Sequence, residues 1–244
     1  MVNAAAKAVI NRLLGYLGLH LTRTSQVPSW ESLFGVLTRQ NFHPQTVFDI
    51  GVAEGTPELY AAYPEAEFHL IDPTKESLPY MEAISRRINA RIYNLALGDA
   101  ETEQVIITRQ DIFGASFFEE QGGASDVTGR YVVKVKRFDT LFREFMRPSL
   151  CKIDAQGAEA VIIRGMEGAI GKIDILVVEI SVIATVVGGP EAAEVIAMLD
   201  GMDFKIYDII SLRRRPLDGA LAQIDLVFVP DKSPLRSDHR WRDH

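Results

Sequence analysis

Residues 46–57 read TVFDIGVAEGTP, an apolar run that ends in a carboxylate and two glycines. Val47, Phe48 and Ile50 have the character of a short central strand, interrupted by Asp49. Gly51 and Gly55 follow with a spacing of four, and Pro57 stands where a first helical turn would begin. Proline is tolerated there because its missing N–H would be unpaired anyway. Strand, glycine turn and helix start is how α/β proteins bring backbone close to a small ligand.

Outward from this stretch the chain alternates. Residues 56–63 read as a helix, EFHLID (67–72) as a strand, 75–88 as a helix and ARIYNLAL (90–97) as a third strand. EQVIIT (103–108) and RYVVKVKRF (130–138) are β-rich runs separated by a long loop, and a short helix starts at Asp139. LCKID (150–154), a helix near 158–169, the fully apolar IDILVVEI (173–180) and a helix at 190–200 continue the pattern. FKIYDII (204–210) and QIDLVFV (223–229) are joined without helical periodicity and read as an antiparallel pair. The expectation is an α/β, Rossmann-like, mostly parallel sheet covered on both faces. On the N-terminal side, SWESLFGVL places Trp30, Leu33, Phe34 and Leu37 on one helical face. AAAKAVINRLLGYLGLHL before it reads as an amphipathic helix packed on the domain or on a second subunit, with membrane-surface attachment as the alternative.

Composition narrows the class. The 244 residues suit one large domain with an extension. A formal net charge of −7 argues against general affinity for nucleic acid or anionic membrane. The single cysteine, Cys151, excludes a disulfide framework and a cysteine-based zinc cluster, and its apolar neighbours mark it as a buried, inert strand residue. No stretch is long and apolar enough for a transmembrane helix, and no signal peptide is recognisable, so a cytoplasmic protein is expected.

In an open α/β sheet, ligands bind beyond the carboxyl ends of the strands. Here those ends carry Asp49, Gly51, Glu54 and Gly55; then Asp72 before Pro73; then Asn94, Leu97, Gly98 and Asp99; then Lys152, Asp154 and Glu159; and finally Glu179. Asp72 lies 23 positions after Asp49, placed to accept hydrogen bonds from ribose hydroxyls. Single acids at strand ends are commonly caps, and Lys152 with Glu159 suits a structural ion pair, but unpaired carboxylates gathered at one edge would repel. A phosphate loop is absent, since GAIGKID (168–174) lacks its spacing and hydroxyl. The dinucleotide fingerprint fails at Ala53, which weakens close approach of a pyrophosphate. A nucleoside cofactor without phosphates, S-adenosylmethionine, suits the turn better.

DIGVAEG, LIDP, NLALGD, and above all KIDAQGAEAVIIRG followed by VVEIS, resemble the FkbM-type S-adenosylmethionine-dependent methyltransferases, from about residue 46 to 181. The resemblance implies a class I methyltransferase fold whose sheet has seven strands, the last antiparallel. It implies that Asp49, Gly51 and Gly55 contact the methionine end, Asp72 the ribose and Leu97 the adenine surroundings. This chain departs in having Ala53 where the family usually has asparagine, so that a polar contact is either missing or supplied by Glu54, and in having Asp72 where glutamate is commoner. The division is then an N-terminal helical extension (1–45), a methyltransferase domain (46–230) and a charged tail (231–244).

An alcohol acceptor loses its proton as it is methylated, so a nearby base helps. His20, His239 and His244 lie in the terminal regions, His43 precedes the first strand and His69 lies inside the second. The base candidates are therefore Asp154, Glu159 and Glu179, with Lys152 to orient or polarise and no metal assigned. Ser116, Phe117 and Phe118 in the loop at 110–130 are candidates to cover the cofactor, Ser116 as a contact, or to line the acceptor site, with a disordered insertion as the alternative. Arg213, Arg214 and Arg215 read as a solvated turn or a steering patch for an anionic acceptor. The expected activity is O-methylation of a sugar, glycan or secondary-metabolite hydroxyl, with a homo-oligomer through the N-terminal helices as an open alternative. A non-catalytic cofactor-binding scaffold and a nicotinamide oxidoreductase are the competing classes.

Overall fold

The computed structural model describes residues 4–16, 27–122 and 126–242. Readings that fall on 1–3, 17–26, 123–125 and 243–244, including His20, His244 and part of the loop at 110–130, lie outside the described residues.

Strands β1 (Thr46–Ile50), β2 (Glu67–Ile71) and β3 (Ala90–Tyr93) lie parallel, joined through α3 (Pro57–Ala62) and α4 (Leu78–Ser85). As expected, α3 begins at Pro57. The expected third strand at 90–97 is divided. Asn94 turns its amide onto the carbonyls of Asp72 and Thr74, both at 2.9 Å, which takes the chain out of the ladder. The continuation, β4 (Ala96–Leu97), joins β5 (Thr102–Arg109) and β6 (Val127–Lys136) in a separate three-stranded sheet. The two β-rich runs are therefore an antiparallel hairpin set beside the main sheet. After α5 (Phe138–Leu141) come β7 (Ser149–Ile153), α6 (Glu159–Gly165), β8 (Ile175–Ser181) and α7 (Ala192–Gly201). The hairpin β9 (Phe204–Arg214) and β10 (Leu221–Pro230) closes the sheet.

The seven-stranded order is β3-β2-β1-β7-β8-β10-β9, and β10 runs antiparallel to both neighbours. The order reverses between β1 and β7, the switch point at which α/β sheets open a ligand crevice. Both faces are buried, so alternate residues of one strand feed different cores. Phe48, Ile50, Leu176, Val178 and Ile180 pack on one side, and Val47, Ile175 and Val177 on the other. Cys151 is fully buried. His69 is buried against Phe48 at a ring separation of 4.8 Å, and burial pushes its pKa down to about 4, so it is a neutral core residue.

Two helices lie N-terminal to the sheet. α2 (Trp30–Arg39) is capped by Ser29, whose hydroxyl accepts from the Ser32 N–H at 3.1 Å, and it buries Leu33 and Leu37 against the sheet. α1 (Ala4–Gly15) forms, but Val9, Leu13 and Tyr16 are 62%, 64% and 83% exposed. The domain does not cover these described side chains, which leaves a second subunit or a membrane surface as the expected partner of that face.

Candidate active site

The site is built where β1 and β7 leave the sheet side by side. Gly51 has φ +77°, and a Cβ there would lie 1.7 Å from the Asp154 carbonyl oxygen. Only glycine lets these two strand exits meet. Ala53 adopts a left-handed φ of +46° and donates its N–H to Asp72 Oδ2 at 3.0 Å. The other Asp72 oxygen accepts from the Thr74 N–H at 2.9 Å and the Thr74 hydroxyl at 2.6 Å. Asp72 thus fastens the turn after β1 to the turn after β2 while standing on the wall of the adjoining cavity.

Asp49 is fully buried behind this turn. It accepts from the Tyr60 hydroxyl at 2.5 Å and from the Lys152 ammonium at 3.2 Å. Burial, reinforced by the Asp49 charge, pushes the Tyr60 phenol far above its ordinary range, so it stays a donor. The Lys152 ammonium also reaches the Gly51 carbonyl at 3.2 Å and Asp154 at 3.6 Å. Burial alone would favour neutral lysine, but the Asp49 and Asp154 carboxylates outweigh it and hold the pKa above the usual value.

Beyond Lys152 lies a chain of polar groups. Gln156, itself left-handed at φ +47°, donates its amide to Asp154 at 2.9 Å and to Glu179 at 2.8 Å. Glu179 also accepts from Gln223 at 2.6 Å, and Arg213 lies 3.9 Å away. Glu179 lies within β8 and not at its end, directly opposite Asp225 of β10. Burial, then the Asp154 and Asp225 charges, push Glu179 up to about 8. Asp225 is pushed up to about 6, chiefly by burial and next by Asp154, against the opposing pull of Lys152 and Arg213. Lys152, Asp154, Gln156, Glu179 and Asp225 all line the same cavity as Gly51 and Asp72.

Several sequence candidates are placed elsewhere. Glu159 opens α6 but folds back, accepting from the Ala155 N–H at 3.0 Å and the Gly157 N–H at 3.0 Å, so it secures the turn after β7 and does not pair with Lys152. Burial raises it to about 7 against the opposing pull of those N–H groups. Asn94 is spent on the Asp72–Thr74 turn, and Glu54 is exposed and accepts from the Tyr80 hydroxyl at 3.2 Å. Among the described residues, the cavity wall includes none of Glu54, Asn94, Glu159 or Asp49. Gly55 and Leu97 do reach it. Ser116 does too, donating its hydroxyl to the Gln156 carbonyl at 2.7 Å. The loop behind Ser116 is fastened to a second crossing segment, through Gln121 N–H to the Thr185 carbonyl and Val187 N–H to the Glu119 carbonyl. Together these segments roof the turn after β7, where Val186 and Phe118 approach Gly157.

Sequence reasoning missed Asp225, Gln156, Gln223 and Trp30. Asp225 carried a signal, an acid inside the apolar run QIDLVFV, but its relevance depends on a strand register that composition does not give. Trp30 reaches the cavity from α2, so the segment read as an extension contributes to the wall. Arg213 is drawn toward Glu179 and is not simply a solvated turn.

A family model described as the methyltransferase FkbM domain matches residues 49–206. The chain belongs to the FkbM methyltransferase family. No curated protein matches it. Among solved structures, an rRNA methylase from Streptococcus thermophilus is 11% identical, with 87% of this chain and 99% of that one covered at a TM-score of 0.45. Magnesium protoporphyrin IX methyltransferase from Synechocystis is 13% identical, with 94% and 100% covered and a TM-score of 0.44. The 1,6-didemethyltoxoflavin N1-methyltransferase of Burkholderia thailandensis is 11% identical, with 94% and 91% covered and a TM-score of 0.44. At this distance they bear on neither acceptor nor site residues.

As an FkbM methyltransferase, the protein uses S-adenosylmethionine as its cofactor. The residues present fit that group. A glycine turn without a Cβ, a buried carboxylate at the end of the second strand, and an apolar wall from Ile71, Leu95, Leu97 and Ile162 offer backbone, a hydroxyl acceptor and a surface for a flat base.

Proposed function

We propose that this FkbM protein is an O-methyltransferase acting on a hydroxyl of a sugar, glycan or secondary metabolite. The observation that carries the reading is Asp154. Its carboxylate faces the cavity just past Gly51, with Lys152 on one side and the Gln156 amide on the other. The cofactor, when bound, supplies an electrophilic methyl group. Gly51, Gly55 and Asp72 hold it in this reading, with Leu97 beside its base and Ser116 in the roof.

Asp154 accepts the proton of the acceptor hydroxyl, a role for which a carboxylate within hydrogen-bond reach is suited. Lys152 orients that carboxylate from 3.6 Å, and the Gln156 amide fixes its other edge. Glu179 and Asp225 present further hydrogen-bonding groups on the acceptor side. The net charge of −7 supports a small or glycan acceptor over nucleic acid.

The test is transfer of labelled methyl from the cofactor to a panel of neutral sugars, glycans and hydroxylated metabolites. Label recovered as an alkali-stable methyl ether supports the proposal. Label confined to nitrogen, carbon or RNA acceptors overturns it.

A further inference from the structure

Of the acids that line the cavity, Glu58 stands in the first turn of α3, and the others follow the order of the strands. Asp72 follows β2, Gly51 follows β1, Asp154 follows β7, Glu179 sits on β8 and Asp225 on β10. Adjacent strands lie about 4.8 Å apart, so three carboxyls occupy the side of Gly51 away from Asp72. They are physically linked, through Gln156 between Asp154 and Glu179 and through the register that opposes Glu179 to Asp225. Their neutralisation is incomplete. Lys152 is shared with fully buried Asp49, and Arg213, whose side chain is 64% exposed, stands on the rim 3.9 Å from Glu179. Four carboxyls therefore face two cations, one of them in solvent.

The two forms of the cofactor differ by one charge. The methyl donor is a sulfonium cation, and its demethylated product is a neutral thioether. With the ribose at Asp72 and the methionine end at Gly51, the sulfur that joins them would lie between the two, with Asp154 one strand beyond Gly51 as the nearest of the three carboxyls and Glu179 and Asp225 behind it. This orientation rests on the site reading given above.

We propose that Asp154, Glu179 and Asp225 form a charge-discriminating wall that holds the sulfonium cofactor more tightly than its neutral product. Asp225 lies beyond residue 206, where the family match ends, and is the member of the wall that the family match does not reach. Its function is to bias the exchange of product for fresh cofactor, because loss of the methyl group removes the attraction. Asp154 acts on the acceptor as well; Asp225 and Glu179 act through the field they create.

The test needs no acceptor, so its result is independent of whether the acceptor is a hydroxyl. Calorimetric dissociation constants for S-adenosylmethionine and S-adenosylhomocysteine are measured on the full chain at pH 9, above the value of about 8 to which Glu179 is pushed, so that all three carboxyls carry charge. Wild type is expected to prefer the sulfonium form by roughly fivefold or more, the scale of a unit charge several ångströms from a carboxylate in a partly screened site. Asp225→Asn and Glu179→Gln are each expected to shrink that preference, with S-adenosylhomocysteine affinity held within about twofold. Glu144→Gln, at a carboxylate 87% exposed and paired with Lys172, is expected to leave it unchanged. Thermal melts establish that each variant is folded, and Glu179→Gln provides the measurement if Asp225→Asn does not fold. An unaltered ratio in folded Asp225→Asn and Glu179→Gln, or a wild type that prefers the neutral product, overturns the proposal. Failure of both ligands to bind wild type overturns it together with the site reading.

Discussion

Asp72 accepts three hydrogen bonds from its own chain and still borders the cavity. It therefore organises two turns and, in the proposed reading, also offers a charged acceptor to a ribose. Hydrogen bonds to a charged acceptor contribute about 1.5–3 kcal/mol each. Asp72→Ala is expected to weaken binding of S-adenosylhomocysteine at least about tenfold by calorimetry. Unchanged affinity would remove it from the site. At Asp154 the expected effect is on turnover. Asp154→Asn keeps the shape and loses the base, so turnover with a working hydroxyl acceptor should fall by about 10²–10⁴, with cofactor affinity little altered. Normal turnover would contradict the assignment. That Asp72 and Asp154 border one cavity was legible because acids and glycines at strand ends have few structural reasons to cluster. Glu159 and Glu179 were not separable by sequence. Both are acids near strand ends, but Glu159 turns back onto the Ala155 and Gly157 N–H groups, whereas Glu179 points into the cavity. That difference is one of side-chain direction, which chain order does not encode.

Strand β8 reads in sequence as an uninterrupted buried run, and the carboxyl it carries is paid for in pH dependence. Glu179 has an ordinary value of 4.5 and is held at about 8 in the folded chain. A raised carboxyl favours folding when protonated. Its contribution is full below about pH 4.5 and is lost as pH rises through about 8. Glu179→Gln can still accept from Gln156 and Gln223, so its melting temperature should fall less than that of wild type between pH 5 and pH 9. Parallel melting curves for the two proteins would show that burial does not perturb this group. Element types and order were readable because apolar runs and helical periodicity are local. The division at Asn94 was not, because it depends on an amide reaching carbonyls about 20 residues earlier in the chain. The exposed apolar face of α1 was unreadable for the same reason, since amphipathicity says that a face exists and not what it meets.

At the scale of the whole molecule, the strand order β3-β2-β1-β7-β8-β10-β9 places the reversal between β1 and β7 beneath Gly51. In the proposed reading the nucleoside side lies toward β2, and the carboxyls of Asp154, Glu179 and Asp225 lie toward β7, β8 and β10. The family match covers residues 49–206, while Trp30 and Asp225 bring both flanking segments to the same cavity. The central claim is that this one cavity binds an adenosyl thioether and uses Asp72 to do so. The most direct measurement is thermal stabilisation of wild type and Asp72→Ala by S-adenosylhomocysteine, with NADH as the competing ligand. At about a hundred times the dissociation constant, binding adds about 2.7 kcal/mol. In a chain of this size that raises the wild-type melting temperature by roughly 5–10 °C. The account predicts that shift for S-adenosylhomocysteine, a much smaller one in Asp72→Ala at the same concentration, and none for NADH. A full shift with NADH and none with S-adenosylhomocysteine would contradict it.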